Sequence, residues 1–357
     1  MTGTAGALDR PRPSRPGNRT PDLRPYGQVQ LRSTVNMASH AASKTVVYAA
    51  LAGNLLIAVT KFVAAAYTGS SAMLSEGVHS VVDTGNELLL LYGLHRSAKA
   101  PDRNHPLGHG RELYFWAFIV ALLVFALGAG VSTYEGFVHL RAPEPIENPV
   151  VNYVVLGLCL LFEGGSWVVA FKAFRASKGR LGYLEAVRRS KDPTTFTVLF
   201  EDTAALLGLA VAGVGIWASL HFDMPELDGI ASLGIGLILG ITAFLLARET
   251  KGLLIGERAE PALQASILAL AGSDPAVQRA NGVVTVHLAP DQIVAALSAE
   301  FEDRLTAPEI EACVTRLEAR ITRAHPEVKT LFVKPQTART WSRRQTAAGT
   351  EPAGIGL

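Results

Sequence analysis

The chain has 357 residues, 49% of them hydrophobic and 18% charged, with a net charge of +2 and a mean hydropathy of +0.25. That balance is too apolar for an ordinary soluble globular protein, and so small a net charge gives no sign of nucleic-acid binding. Cys159 lies in an apolar run and Cys313 in a polar, helix-like stretch, which argues against a disulfide and leaves no cysteine-based metal motif.

Residues 1–40 are rich in Pro and Arg and have no apolar core. They read as a disordered segment, neither a signal peptide nor a folded unit. A sharp helical pattern begins only after Met37, which is expected to be the true start. Residues 41–254 then read as a transmembrane domain. A bilayer core of about 30 Å needs ~20 mostly apolar residues in a helix. Six segments meet that need, near 44–67, 71–95, 112–136, 149–174, 194–220 and 228–250, the second and fifth being marginal by hydropathy alone. Positive charge alternates between the connections. Arg96, Lys99, Arg103 and Arg111 follow the second span, and Lys172, Arg175, Lys178, Arg180, Arg188, Arg189 and Lys191 follow the fourth. The connections after the first and fifth spans have no Lys or Arg, and the one after the third has only Arg141. Because Lys and Arg favour the cytoplasmic side, both termini are expected inside, in the cytoplasmic membrane of a bacterium.

Residues 255–336 read helix (260–272), strand (281–288), turn, strand (292–301), helix (308–324), strand (328–335). Thr306, with Glu309 three residues on, is a candidate capping box for the second helix. This order predicts a small cytoplasmic α+β domain with helices on one face of a sheet. Residues 337–357, with Arg339, Arg343, Arg344 and scattered Gly, read as a disordered basic tail.

The second span contains SEGVHSVVDTGNE, and its Glu76, His79, Asp83 and Glu87 are spaced 3, 4 and 4. Those intervals return to one face of a helix, along about 16 Å, with Asn86 beside them. Charges at mid-bilayer cost at least ~2.5 kcal/mol each on insertion scales, so they face a cavity or a partner. Carboxylates and imidazole suit a divalent ion of the zinc kind, and His79 and Asp83, one turn apart, can both reach one ion. The bland reading is a hydrogen-bonded cluster between helices. The fifth span supplies Glu201 and Asp202. Neighbouring helix positions point ~100° apart, so the two are expected to divide the work: one a ligand, the other an outer partner or proton carrier, in an order the residues leave open.

These motifs resemble the cation diffusion facilitator family of metal exporters. SSAMLSEGVHSVVDT is similar to its second span, PDRNHPLGHGRELYF (101–115) to the loop before its third, and PELDGIASLGIGLILG (225–240) to its sixth. The resemblance covers about residues 40–335. In one place the chain departs from the common pattern, which has a His four residues before the fifth-span Asp; here that residue is Val198. The Glu201–Asp202 pair and the APDQIV stretch resemble the branch that contains the ninth mammalian zinc transporter. The resemblance implies six transmembrane helices, a ferredoxin-like C-terminal domain and a homodimer in lipid. It also implies a proton-coupled antiporter that carries Zn²⁺ as substrate, with no resident cofactor. His79, Asp83 and Asp202 would form the core of the metal site, with Glu201 or water completing it. Metal binding needs neutral His and ionised carboxylates, so protons and metal compete for such a site.

Asp102, His105 and His109 are a candidate second metal site. Glu76, Asn86, Glu87 and Glu163 are candidates for a proton or ion pathway, Glu163 having hydrogen bonding to a neighbouring helix as its alternative. Lys61 is expected to snorkel, with pairing to a stripe carboxylate as the alternative, and Asp228 to cap the sixth span or lie at the interface. His287 and His325 are expected to be structural. Losing an imidazole at position 198 shifts a site toward harder ions, so an exporter of Mn²⁺, Fe²⁺ or Co²⁺ is the alternative within the class. Outside it stand an intramembrane metalloenzyme, against which the absence of HExxH counts, and a membrane metal sensor, against which the absence of an output domain counts. A transporter, not an enzyme, is the expectation.

Overall fold

The computed structural model describes residues 32–68, 71–143, 149–179 and 181–347. Helix α1 (Arg32–Thr68) begins inside the segment expected to be disordered, because Ala38, Ala41 and Ala42 are good helix formers that extend the first span backward. The rest of the expected N-terminal segment lies outside the described residues.

Seven further helices complete the first part of the chain: α2 (Ser71–Ser97), α3 (Glu112–Leu123), α4 (Gly130–Arg141), α5 (Pro149–Ser177), α6 (Tyr183–Arg189), α7 (Pro193–Phe222) and α8 (Glu226–Ile255). A π-helical stretch, Val124–Ala129, joins α3 to α4 into one rod. Among the described residues, five helical segments are long and apolar enough to cross a membrane: Ser43–Thr68, Glu112–Arg141, Pro149–Ser177, Pro193–Phe222 and Glu226–Ile255. Helix α2 matches them in length at 27 residues, but Glu76, Asp83 and Glu87 keep apolarity from marking it as a span. Prolines start α5 and α7, where their missing N–H costs nothing. Asp192 caps α7, accepting the Thr194 N–H at 3.1 Å, the Thr195 hydroxyl at 2.6 Å and, from α1, the Ser43 hydroxyl at 2.7 Å. Asp228 falls in the first turn of α8, which Pro225 precedes. It does not cap the helix and lies 3.4 Å from His139 of α4. The seam between that rod and α8 is close: a Cβ on Gly236 would lie 2.5 Å from the Thr133 hydroxyl.

The apolar cluster at one end of the bundle gathers Val46, Val47, Leu90, Leu94, Leu113, Phe174 and Val198, with Ala186 and Val187 of α6 laid across it. The C-terminal domain sits at this end. Its order is α9 (Pro261–Gly272), β1 (Val277–Ala289), β2 (Gln292–Phe301), α10 (Ala307–Ala324), β3 (Val328–Pro335). The sheet runs β1-β2-β3, antiparallel between β1 and β2 and parallel between β2 and β3, so α10 is the crossover a parallel pair requires. Cys313, Leu317 and Ile321, four apart on α10, are fully buried with Ile267 of α9 and Ile293 and Leu297 of β2. The capping box is present: Glu309 accepts the Thr306 N–H at 2.7 Å and its hydroxyl at 2.8 Å. Both cysteines are buried free thiols. His287 faces the Ala289 carbonyl at 3.2 Å and His325 the Ser266 hydroxyl at 2.7 Å.

Where a disordered tail was expected, α11 (Ala338–Ala347) forms. The sheet gives it a seat, since bare Gly282 leaves room for the Trp341 ring, which would stand 2.4 Å from a Cβ there. Residues 348–357 lie outside the described residues.

Candidate metal sites

The α2 stripe meets a different neighbour at each level. At the end away from the C-terminal domain, Lys61 of α1 donates to Glu76 at 2.8 Å, so Lys61 takes the pairing in preference to snorkelling. One turn further, His79 Nε2 lies 3.9 Å from Asp83 Oδ2, both side chains partly exposed. Below them Asn86 donates to Glu201 Oε1 of α7 at 3.2 Å. Asp202 turns the other way and accepts from Ser166 of α5 at 2.7 Å. The adjacent acids thus diverge, as ~100° per residue dictates.

Three side-chain atoms here are buried without a hydrogen-bond partner: Asn86 Oδ1, Glu87 Oε2 and Glu201 Oε2. Glu87 is only 1% exposed. An unmet buried carboxylate oxygen is costly. The four expected ligands are not drawn into a closed shell, however. Among the described residues no three of His79, Asp83, Glu201 and Asp202 bring ligand atoms within 4.8 Å of one another. Val198, one turn before Asp202, is fully buried within the apolar cluster. Ser166 has no sequence signal; it is one of many small polar residues on an apolar helix.

The loop between α2 and α3 does close a cluster. Ligand atoms of Asp102, His105 and His109 all lie within 4.8 Å of one another. Asp102 Oδ1 accepts the N–H groups of Asn104 at 2.9 Å and His105 at 2.8 Å and lies 3.2 Å from His105 Nδ1. Its Oδ2 is 3.1 Å from His109 Nε2. The His105 N–H foremost, then the His109 ring, holds this carboxyl well below the usual carboxylate range. One ionised carboxylate and two imidazoles are a donor set suited to zinc. Sequence reasoning missed Glu112, whose Oε1 is 3.7 Å from His109 Nδ1. Its spacing of three from His109 is the signal that finds it, and a carboxylate on the far nitrogen is what orients a metal-binding imidazole. Arg96 donates to the same Glu112 oxygen at 2.7 Å, and the Trp116 indole N–H to the other at 3.0 Å.

A bundle of membrane-length helices enclosing a charged interior defines an ion-handling integral membrane protein. The chain belongs to the cation efflux family, the cation diffusion facilitators: residues 47–255 match the cation efflux transmembrane domain. It is 36% identical over 277 residues to the "Proton-coupled zinc antiporter SLC30A9, mitochondrial" of Xenopus laevis, a match covering 76% of this chain and 49% of that protein. It is 33% identical to metal tolerance protein C4 of Arabidopsis thaliana, over 66% of this chain and 52% of that one. It is 27% identical to the cation-efflux pump FieF of Cronobacter sakazakii, over 81% and 92% respectively. The chain thus spans about half the length of the first two relatives.

Proposed function

We propose that the chain is a proton-coupled Zn²⁺ exporter working by alternating access. The observation that carries this reading is the orphaned acidic interior of α2 and α7, with Glu87 and Glu201 each keeping a buried, unpartnered oxygen, in a chain of the cation efflux family. Such oxygens need protons in one state and a cation in the other, and a carrier that exchanges the two between opposite-facing states couples their gradients. His79 and Asp83 are the ligands from α2. Asp202 supplies the third and Glu201 the fourth or a proton site, brought together as α2, α5 and α7 shift. Glu76, Asn86, Glu87 and Glu163 line the path. Helix α2 crosses the membrane as a sixth span, its charges turned to the bundle interior.

The C-terminal domain, ferredoxin-like in its αββαβ order, faces the side of the Arg- and Lys-rich connections with both termini, in the cytoplasm of a bacterial cell, and the unit of transport is a homodimer. Asp102, His105 and His109 form a second, weaker cation site. The test is Zn²⁺ flux in proteoliposomes against an imposed proton gradient. Flux that His79→Ala or Asp83→Ala abolishes is expected, and flux indifferent to both removes the site assignment. One observation favours a second cargo: with Val198 in the core, the interior offers one imidazole among carboxylates, a set that also suits Mn²⁺. Mn²⁺ outcompeting Zn²⁺ in the same assay selects that reading.

A further inference from the structure

Two stretches far apart in sequence meet outside the helix bundle. One is PLGHG, residues 106–110, in the loop that carries Asp102, His105 and His109. The other is APDQ, residues 289–292, the turn between β1 and β2. The Gln292 side chain donates its amide to the Leu107 carbonyl at 2.6 Å. Gly108 follows with φ +86°, a conformation that favours glycine. Gly110 then passes so close to the turn that a Cβ there would lie 2.7 Å from Gln292 Oε1 and 2.9 Å from both the Ala289 Cβ and the Leu288 carbonyl. His109, between these glycines, is 5% exposed, and its ring is 4.3 Å from that of His105, centre to centre. The path of this backbone is therefore set from outside the loop. The eight residues from Asp102 to His109 would not on their own hold two imidazoles and a carboxylate in register, because each flexible residue costs ordering entropy.

We propose that Gln292 is a positioning residue for the loop cluster: the β1–β2 turn of the C-terminal domain clamps Leu107 to Gly110 so that Asp102, His105 and His109 can share one divalent cation, and occupancy of the loop by that cation strengthens the docking of the domain. The proposal rests on the reading of the cluster as a cation site. It gives the APDQ turn a task, since its glutamine reaches 185 positions back along the chain to the loop. By linkage, whatever the clamp adds to cation affinity the cation returns to the clamp.

The experiment uses the full chain in detergent with His79→Ala and Asp83→Ala, so that the loop is read apart from the stripe, and Zn²⁺ alone as probe. Chelator competition measures affinity, and hydrogen exchange across 286–293 measures docking. Asp102→Asn is expected to remove the binding. Gln292→Met, which keeps the reach and loses the donor, is expected to weaken it by about 10-fold, the lower end for outer partners of metal ligands. Gly110→Ala, which pushes the loop off the turn, should do the same. Zn²⁺ should slow exchange at 286–293 in the parent and leave it unchanged in all three variants, while metal-free exchange elsewhere in the sheet is the same throughout. A packing role alone would not give that Zn²⁺-dependent difference. If the parent binds Zn²⁺ through Asp102 and the Gln292 and Gly110 variants bind equally well, the clamp is wrong and the cluster stands. If the parent shows no Zn²⁺ binding that Asp102→Asn removes, the cation site itself is wrong and the clamp falls with it.

Discussion

The α2 stripe and the loop cluster hold the same kinds of side chain in opposite conditions. In the loop, Asp102 satisfies itself with two backbone N–H groups and two imidazoles, and three ligands stand within 4.8 Å. In the bundle, the acids are spread over α2, α5 and α7, and two of them keep an oxygen with no partner. A closed cluster can remain as it is with or without an ion. An open one with unmet buried charge is poised to change its occupant, which is what a carrier of cargo requires. On the proposed reading, the loop would hold an ion and the bundle would pass one on.

That contrast can be broken at several points. The largest effect is expected from Asp83→Asn, which removes the charge of a proposed ligand without changing shape: Zn²⁺ flux in proteoliposomes should fall to the background of empty vesicles. Asp102→Asn should leave more than half of the flux while deleting the weaker class of bound Zn²⁺ in equilibrium dialysis. Equal losses from the two substitutions would erase the distinction between the sites. Next comes Ser166→Ala. It removes the hydroxyl that holds Asp202 and should weaken intramembrane Zn²⁺ binding by about 10-fold, as outer partners of metal ligands do.

Val198→His is expected to act on stability before selectivity. It buries an imidazole in the apolar cluster at a cost of about 1–3 kcal/mol, read as a melting temperature lower by several degrees in detergent. An unchanged melting temperature with a changed Zn²⁺/Mn²⁺ preference would place position 198 in the pathway after all. The smallest effect is in the sheet. Burial lowers the affinity of His287 for a proton in the fold. The unfolded state therefore binds the proton first as pH falls. The contribution of His287 is complete above the ordinary imidazole range and declines on acidification. Amide protection in β1, corrected for the intrinsic exchange rate at each pH, should fall from pH 7.5 to 5.5, and His287→Gln should flatten that dependence.

Much of this organisation was legible in the chain. Long apolar runs, the α-β-β-α-β order and the Thr306–Glu309 cap all follow from local pattern, and the structure carries them. The 3-4-4 spacing placed four ionisable groups on one face of α2, because a helix enforces that geometry without help. What local pattern could not supply was partnership across elements. Nothing in sequence says that Asn86 meets Glu201, that Ser166 meets Asp202 or that Lys61 reaches Glu76. Each depends on how helices rotate against one another. The tail failed for the same reason: Arg339, Arg343 and Arg344 look solvated until Gly282 offers Trp341 a seat. Helix α2 marks the opposite limit, where Glu76, Asp83 and Glu87 keep hydropathy from marking a 27-residue helix as a span.

The π-helical stretch at Val124–Ala129 has a consequence for how the rod of α3 and α4 tolerates change. The Gly130 N–H reaches back five residues, to the Phe125 carbonyl, so the rod carries one residue more than an α ladder would use. Deleting one residue there lets the ladder close as plain α-helix with Thr133 and Gly136 still on the α8 seam, whereas the same deletion elsewhere in the rod turns everything beyond it by ~100°. Substitution along the same stretch leaves the phase intact. The π-helical stretch is therefore the one part of this rod where losing a residue is absorbed locally and not passed along the helix.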